Sequence, residues 1–222
     1  EERERPVLFV VDQRTPMFFG SRLAMKSVAA AELAALGVWR ALDVGDRIGG
    51  VVFNEEEILS LRPGRSPTQA LRFFHDLERM NRRLAEPEPP VGDVTLNAAL
   101  QSASRMATHD HLLILVTDLD GADEETSKLA TRLCAHNDLL VVAVYDPLGA
   151  QLSGYPGMRA TDRGRSWEIP PGKRFEEDFE SIFAKTVERW TSLFRNLQIP
   201  IFPLSCATPV IDQIHELLGP QK

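Results

Sequence analysis

A chain of 222 residues, 43% hydrophobic and 26% charged, has the size and balance of a single globular domain spanning residues 1–222. Its net charge of −7 and pI near 5.3 argue against a nucleic-acid binder, which needs a basic surplus to release counterions. No apolar run approaches the ~18 residues of a spanning helix, so no insertion into a membrane by this chain is expected.

Two well-separated cysteines, Cys134 and Cys206, sit in apolar surroundings and read as small core residues of a reducing, cytoplasmic compartment. The chain begins Glu-Glu-Arg-Glu-Arg without an initiating Met, which reads as a fragment excised from a longer protein. Residues 7–11, Val-Leu-Phe-Val-Val, form a short continuous apolar run that ends in Asp12. Such a run predicts a strand buried on both faces, with the aspartate at its carboxyl end, where open α/β sheets bind ligands. Pro16 cannot extend the strand, and Ser21 is the expected N-cap of a helix reaching about residue 42. Its expected buried stripe is Ala24, Val28, Ala31, Ala35, Val38 and Leu42.

A second strand is predicted over residues 47–54, and residues 57–61 follow after a link too short for a parallel crossover. One antiparallel strand therefore joins the sheet. Pro67 opens a helix to about residue 84, with Leu71, Phe74, Leu77 and Leu84 facing inward. Residues 86–90, Glu-Pro-Glu-Pro-Pro, form a stiff loop, and Thr95 precedes a helix over 96–107.

Another apolar run closes in Asp118, Asp123 caps a helix to about residue 136, and a third run closes in Asp146. Asp146 precedes Pro147 and reads as a plain strand terminator. An edge hairpin is expected over 158–169 and the longest amphipathic helix over 173–198. The aromatic stripe of that helix, Phe175 to Phe194, reads as core. A last strand over 201–204 and a helix opened by Thr208-Pro209 finish the chain.

Alternating strands and helices predict a doubly wound, Rossmann-like α/β fold: a mostly parallel central sheet, one antiparallel edge strand, and helices on both faces. Asp12 and Asp118 then face one crevice, an oxygen-rich site suited to Mg²⁺ or Mn²⁺. The order Asp12, Thr95 in Gly-Asp-Val-Thr, and Asp118 in Val-Thr-Asp resembles the metal-ion-dependent adhesion site of von Willebrand factor A (vWA) domains. The stretches Val-Asp-Gln-Arg-Thr-Pro-Met-Phe-Phe-Gly, Gly-Asp-Arg-Ile-Gly-Gly-Val-Val-Phe and Ile-Phe-Pro-Leu-Ser-Cys-Ala-Thr are similar to its bacterial branch of domain-of-unknown-function fifty-eight proteins.

That resemblance implies a non-catalytic protein–protein interaction module acting with a MoxR-type AAA ATPase or its client. It implies Asp12, Thr95 and Asp118 as metal ligands. Where the family has two serines, this chain has Arg14 and Pro16, so the site is degenerate. Pro16 supplies no side-chain oxygen, and the Arg14 guanidinium can pair with Asp12 or Asp118 in place of a cation. The expected partner-facing residues are Asp12, Arg14, Thr15, Phe18, Phe19, Thr95 and Asp118; for Phe18 and Phe19 a hydrophobic staple for the next helix is the equal alternative to an exposed contact. Two alternatives compete with this reading. One is a Mg²⁺-dependent phosphatase-like enzyme using Asp12, which lacks its acid/base partner because Arg14 occupies that position. The other is a structural domain with a vestigial site.

Overall fold

All seven residues of β1 (Pro6–Asp12) are buried, and this strand is the middle of the sheet. A computed structural model describes residues 5–88, 90–118, 120–149, 159–162, 165–168, 185, 188, 190–192, 194 and 197–218. In it β1 pairs in parallel with β2 (Arg47–Phe53) on one side and β4 (Leu112–Thr117) on the other. Beyond β2 lies β3 (Ile58–Gly64), the antiparallel edge strand; beyond β4 lie β5 (Asp138–Tyr145) and β8 (Ile201–Ser205), both parallel. The order β3-β2-β1-β4-β5-β8 puts the topological switch between β1 and β4. Both edge strands contain a proline, Pro63 in β3 and Pro203 in β8, a residue that edge positions tolerate and central strands do not.

Strand side chains alternate between faces, so β1 serves two cores. Val7, Phe9 and Val11 pack with α1 (Lys26–Asp43), α2 (Pro67–Leu84) and Val210 of α5 (Val210–Leu218). Leu8 and Val10 pack on the other face with α3 (Leu96–Met106), α4 (Glu124–Cys134) and the buried Trp190 and Phe194. Phe73 of α2 lies so close to β2 that a Cβ at Gly50 would collide with its ring, which is why this strand position is glycine. Truncating a fully buried ring such as Phe9 or Phe73 to Ala typically costs about 3–5 kcal/mol.

Three helix starts follow the local chemistry. The Ser66 hydroxyl accepts from the Gln69 amide at 3.2 Å ahead of Pro67, and the Thr95 hydroxyl accepts from Ala98 at 3.2 Å. Asp123 forms a reciprocal capping box with Thr126.

The first helix differs from expectation. It begins at Lys26 behind Met25, with no side-chain cap, and Ser21 lies in the preceding loop. Its buried face is Ala29, Ala30, Leu33, Ala34, Val38 and Ala41, while Val28 is 41% exposed. In α2 the inward row is Ala70, Phe73, Leu77, Met80 and Leu84; Leu71 points to solvent and Phe74 is half-buried against Trp39. The hairpin of β6 (Arg159–Asp162) and β7 (Arg165–Glu168) forms, but among the described residues it is a separate two-stranded sheet rather than an edge of the central one. Most of the helix expected over 173–198 lies outside the described residues. Within it Trp190 and Phe194 are buried and stacked, with centroids 5.3 Å apart.

Candidate functional site

Two parallel strands end side by side at the switch point, and their last residues make the floor of a crevice. Asp12 closes β1 with no solvent exposure. The next turn of chain folds back over it. The Arg14 amide and Nε both donate to Asp12 Oδ1 at 3.0 Å, and Arg14 Nη2 donates to Oδ2 at 2.7 Å. Thr117, the last residue of β4, donates its hydroxyl to the same Oδ2 at 2.7 Å. The guanidinium also donates to the Asp120 carbonyl at 2.9 Å and lies 5.4 Å from the centre of the Phe53 ring, leaving Arg14 only 7% exposed. Burial pushes the Asp12 carboxyl up, opposed by the Arg14 hydrogen bonds and charge, with the nearby Asp118 adding to the upward push. For Arg14, burial works against the charge and is outweighed by Asp12, so its pKa is raised.

Asp118 has its own cation. Lys26 Nζ, at the start of α1, lies 2.5 Å from Asp118 Oδ2, and the Asp120 amide donates to Oδ1 at 3.1 Å. Both side chains are mostly covered, at 14% and 6% exposed. The two acids of the crevice are thus each matched by one base from this chain.

Between these pairs runs the loop of residues 13–25. Pro16 sits at the start of a 3-10 turn, Thr15–Met17, whose Met17 is fully buried and pins the loop to the core. The Thr15 amide donates to Glu55 Oε1 at 2.7 Å, while Thr15 Oγ1 and Glu55 Oε2 are buried without a hydrogen-bond partner among the described residues. Phe18 and Phe19 are 39% and 43% exposed, so both stand at the rim. Further along, Asp146 anchors the loop: its carboxylate accepts from the Ser21 amide at 2.8 Å and the Ser21 hydroxyl at 2.6 Å. It also accepts from the Leu148 amide at 2.8 Å and the Cys206 thiol at 3.1 Å. Burial raises the Asp146 pKa and these donors outweigh it, leaving the group below the ordinary carboxylate value. The same contact and burial push the Cys206 thiol up to about 12.

Asp12, Arg14, Thr15 and Asp118 are therefore brought to one edge, with Phe18 and Phe19 beside them. Thr95 is exposed at the start of α3, and its hydroxyl caps that helix. Among the described residues no hydrogen bond joins it to Asp12, Arg14 or Asp118.

The arrangement does not fit a divalent cation. A carboxylate offers about four lone-pair sites. Those of Asp12 receive four hydrogen bonds from Arg14 and Thr117. Asp118 is bonded through both oxygens and Thr95 through its one. Among the described residues no group of three or more His, Cys, Asp or Glu side chains is placed to hold a metal.

Lys26, Glu55 and Thr117 are site residues that the sequence pattern alone does not mark. Thr117 was legible as the residue beside Asp118 at a strand end. Lys26 opens an alanine-rich helix, but its partner lies 92 residues away. Glu55 stood in a Glu-Glu-Glu run that reads as a solvated turn.

No curated protein matches the chain. Among solved structures it is similar to conserved hypothetical protein BatB from Bacteroides thetaiotaomicron, at 16% identity over 96% of this chain and 95% of that one, with a TM-score of 0.55. An aerotolerance-related membrane protein from Bacteroides fragilis matches at 15% identity over 95% of each chain, with a TM-score of 0.55. The SpRpn10 VWA domain matches at 10% identity over 96% of this chain and 95% of that one, with a TM-score of 0.51. These likenesses are of fold, and the fold is vWA-like. The profile of the proteins of unknown function DUF58 covers residues 1–188, and the chain belongs to that family.

Proposed function

We propose that this domain is a non-catalytic protein-interaction module whose working surface is the carboxyl edge of the sheet, used without a resident metal ion. One observation carries the reading: the crevice that a cation would bridge is already charge-balanced by Arg14 on Asp12 and Lys26 on Asp118. The internal pairs hold the loop of residues 13–25 in one conformation and present Phe18 and Phe19 to solvent. Rigid presentation of exposed aromatics lowers the entropy lost on docking, and aromatics dominate binding hot spots. A phosphatase-like use of Asp12 is disfavoured by its full burial and saturated oxygens, because a nucleophile must reach its substrate.

By resemblance, the partner in this proposal is a MoxR-type AAA ATPase or its client, met in the cytoplasm. Two experiments test it. Melting with Mg²⁺, with Mn²⁺ and with chelator should give one midpoint; a metal at a hundredfold excess over its Kd would add about 2.7 kcal/mol, and such a rise, absent from Asp118→Ala, overturns the metal-free reading. Binding to the MoxR-type ATPase of the same organism should weaken at least about tenfold in the Phe18→Ser/Phe19→Ser variant, the loss of one hot-spot contact. Equal binding by variant and wild type sinks the assignment of this edge.

A further inference from the structure

At the opposite end of the sheet, where the parallel strands begin, lies an open cleft of about 1070 Å³. Four arginines line it from four different elements or their flanks: Arg5 ahead of β1, Arg47 opening β2, Arg62 in β3 and Arg105 in the last turn of α3. Among the lining residues Asp110 is the sole acid. Arg5 is already paired with Asp138, so Arg62 and Arg105 carry the cleft's local excess of positive charge, in a protein whose net charge is −7.

The cleft is also built, not only charged. Ser102 and His111 line it and are 7% and 8% exposed. The Ser102 hydroxyl lies 2.9 Å from that of Ser60, a shared bond that leaves one of the two hydrogens free for another acceptor. His111 Nδ1 lies 2.7 Å from the His109 carbonyl, which makes Nδ1 the donor and leaves Nε2 without a partner among the described residues. That bond orients the ring, and the His111 backbone amide donates to Asn137 Oδ1 at 3.0 Å. Arg5 is tied to Asp138 at 2.6 Å and to the His111 carbonyl at 3.3 Å, forming one wall. The guanidinium groups of Arg62 and Arg105 have no partner among the described residues.

Ordinary structural roles cover these two arginines singly. A cation in the last turn of α3 suits the helix dipole, and a charge on an edge strand deters pairing with another chain. Neither role calls for convergence on one concavity with buried hydroxyl and imidazole groups.

We propose that this cleft is a binding site for a ligand bearing two or more phosphate groups. Arginine presents a planar fork of donors that matches a phosphate, and several forks around a cavity of this size match a polyanion better than a single phosphate. No aromatic side chain other than imidazole lines the cleft, so recognition rests on charge and hydroxyl donors rather than on stacking against a base. The phosphates can come from a soluble metabolite or from lipid headgroups, and the two sources separate experimentally.

Arg62 and Arg105 are both exposed, so the Arg62→Ala/Arg105→Ala variant should fold as wild type does, checked by its circular dichroism and melting point. Calorimetric titration with inorganic pyrophosphate should show binding to wild type that is weakened about tenfold or more in the variant, the loss of at least one charge-assisted contact. Co-sedimentation with cardiolipin-containing vesicles, whose headgroup carries two phosphates, against phosphatidylcholine vesicles, is the second arm. Variant-sensitive pyrophosphate binding supports a soluble ligand; variant-sensitive vesicle binding without a pyrophosphate response supports a lipid phosphate. Binding that is equal in variant and wild type, or absent from both arms at millimolar ligand, overturns the site.

Discussion

At the carboxyl end of the sheet, Asp12, Asp118 and Asp146 each have their oxygens bonded by this chain's own donors, two of them through a paired cation. At the amino end, Arg62 and Arg105 stand in a cleft with no described partner. The contrast is one of timing. Charges at the first end are satisfied when the protein folds, so they report on stability. Charges at the second are left for whatever enters from solution, so their removal should leave the fold untouched. This also explains why the end that looks like a metal site in sequence does not behave geometrically as one. Its acids face bases supplied by the loop and helix that follow β1.

The sharpest way to break the comparison is at Arg14. Arg14→Ala strands a fully buried Asp12 carboxylate, and removing one partner of a buried pair costs about 3–5 kcal/mol. Urea unfolding should show that loss, and the added change Asp12→Asn should recover part of it. A loss near zero in the single variant would mean the pair is not formed in solution.

A smaller effect is expected at Asp146, where neutral donors rather than a cation hold the charge. Its folded pKa lies below the ordinary 3.8, so its contribution to stability is present above that value and is lost as pH falls through the folded pKa. Wild type should therefore lose its advantage over Asp146→Asn between about pH 4 and more acid conditions, read from unfolding curves at several pH values. A constant difference across that window would place the carboxylate outside the Ser21 contact. The smallest effect belongs to the amino end: Arg62→Ala and Arg105→Ala should each change stability by no more than about 0.5 kcal/mol, as for surface positions. A larger loss would assign them structural work.

Much of this was legible in the chain itself. Apolar runs closed by Asp12 and Asp118 placed both acids at one sheet edge, because parallel strands share a direction and neighbours share their ends. Pro67, Thr95 and Asp123 marked helix starts through local chemistry that tertiary contacts did not override. What the sequence hid was of two kinds. In α1, alanines on several sides give little contrast between faces, so the pattern does not phase the buried stripe, and Val28, inside by spacing, is 41% exposed. In α2, the row Leu71, Phe74, Leu77 drifts off the true 70, 73, 77, 80, 84 stripe and left Leu71 60% exposed. The other kind was pairing at long range. Lys26 with Asp118 and Ser21 with Asp146 join residues 92 and 125 positions apart, and no local pattern encodes either. The cleft of arginines was hidden for the same reason, since its members come from positions 5, 47, 62 and 105.

Pro63 and Pro203 have a consequence for how copies of this domain, or extended peptides, can approach it. Each interrupts the donor row of an edge strand, one at either border of the central sheet. A visiting strand would meet a missing amide at both borders, so growth of the sheet by strand addition is blocked on the left and the right alike. Edge-to-edge growth of the central sheet is thereby disfavoured at each of its described borders, without any charge or covering helix having to do that work.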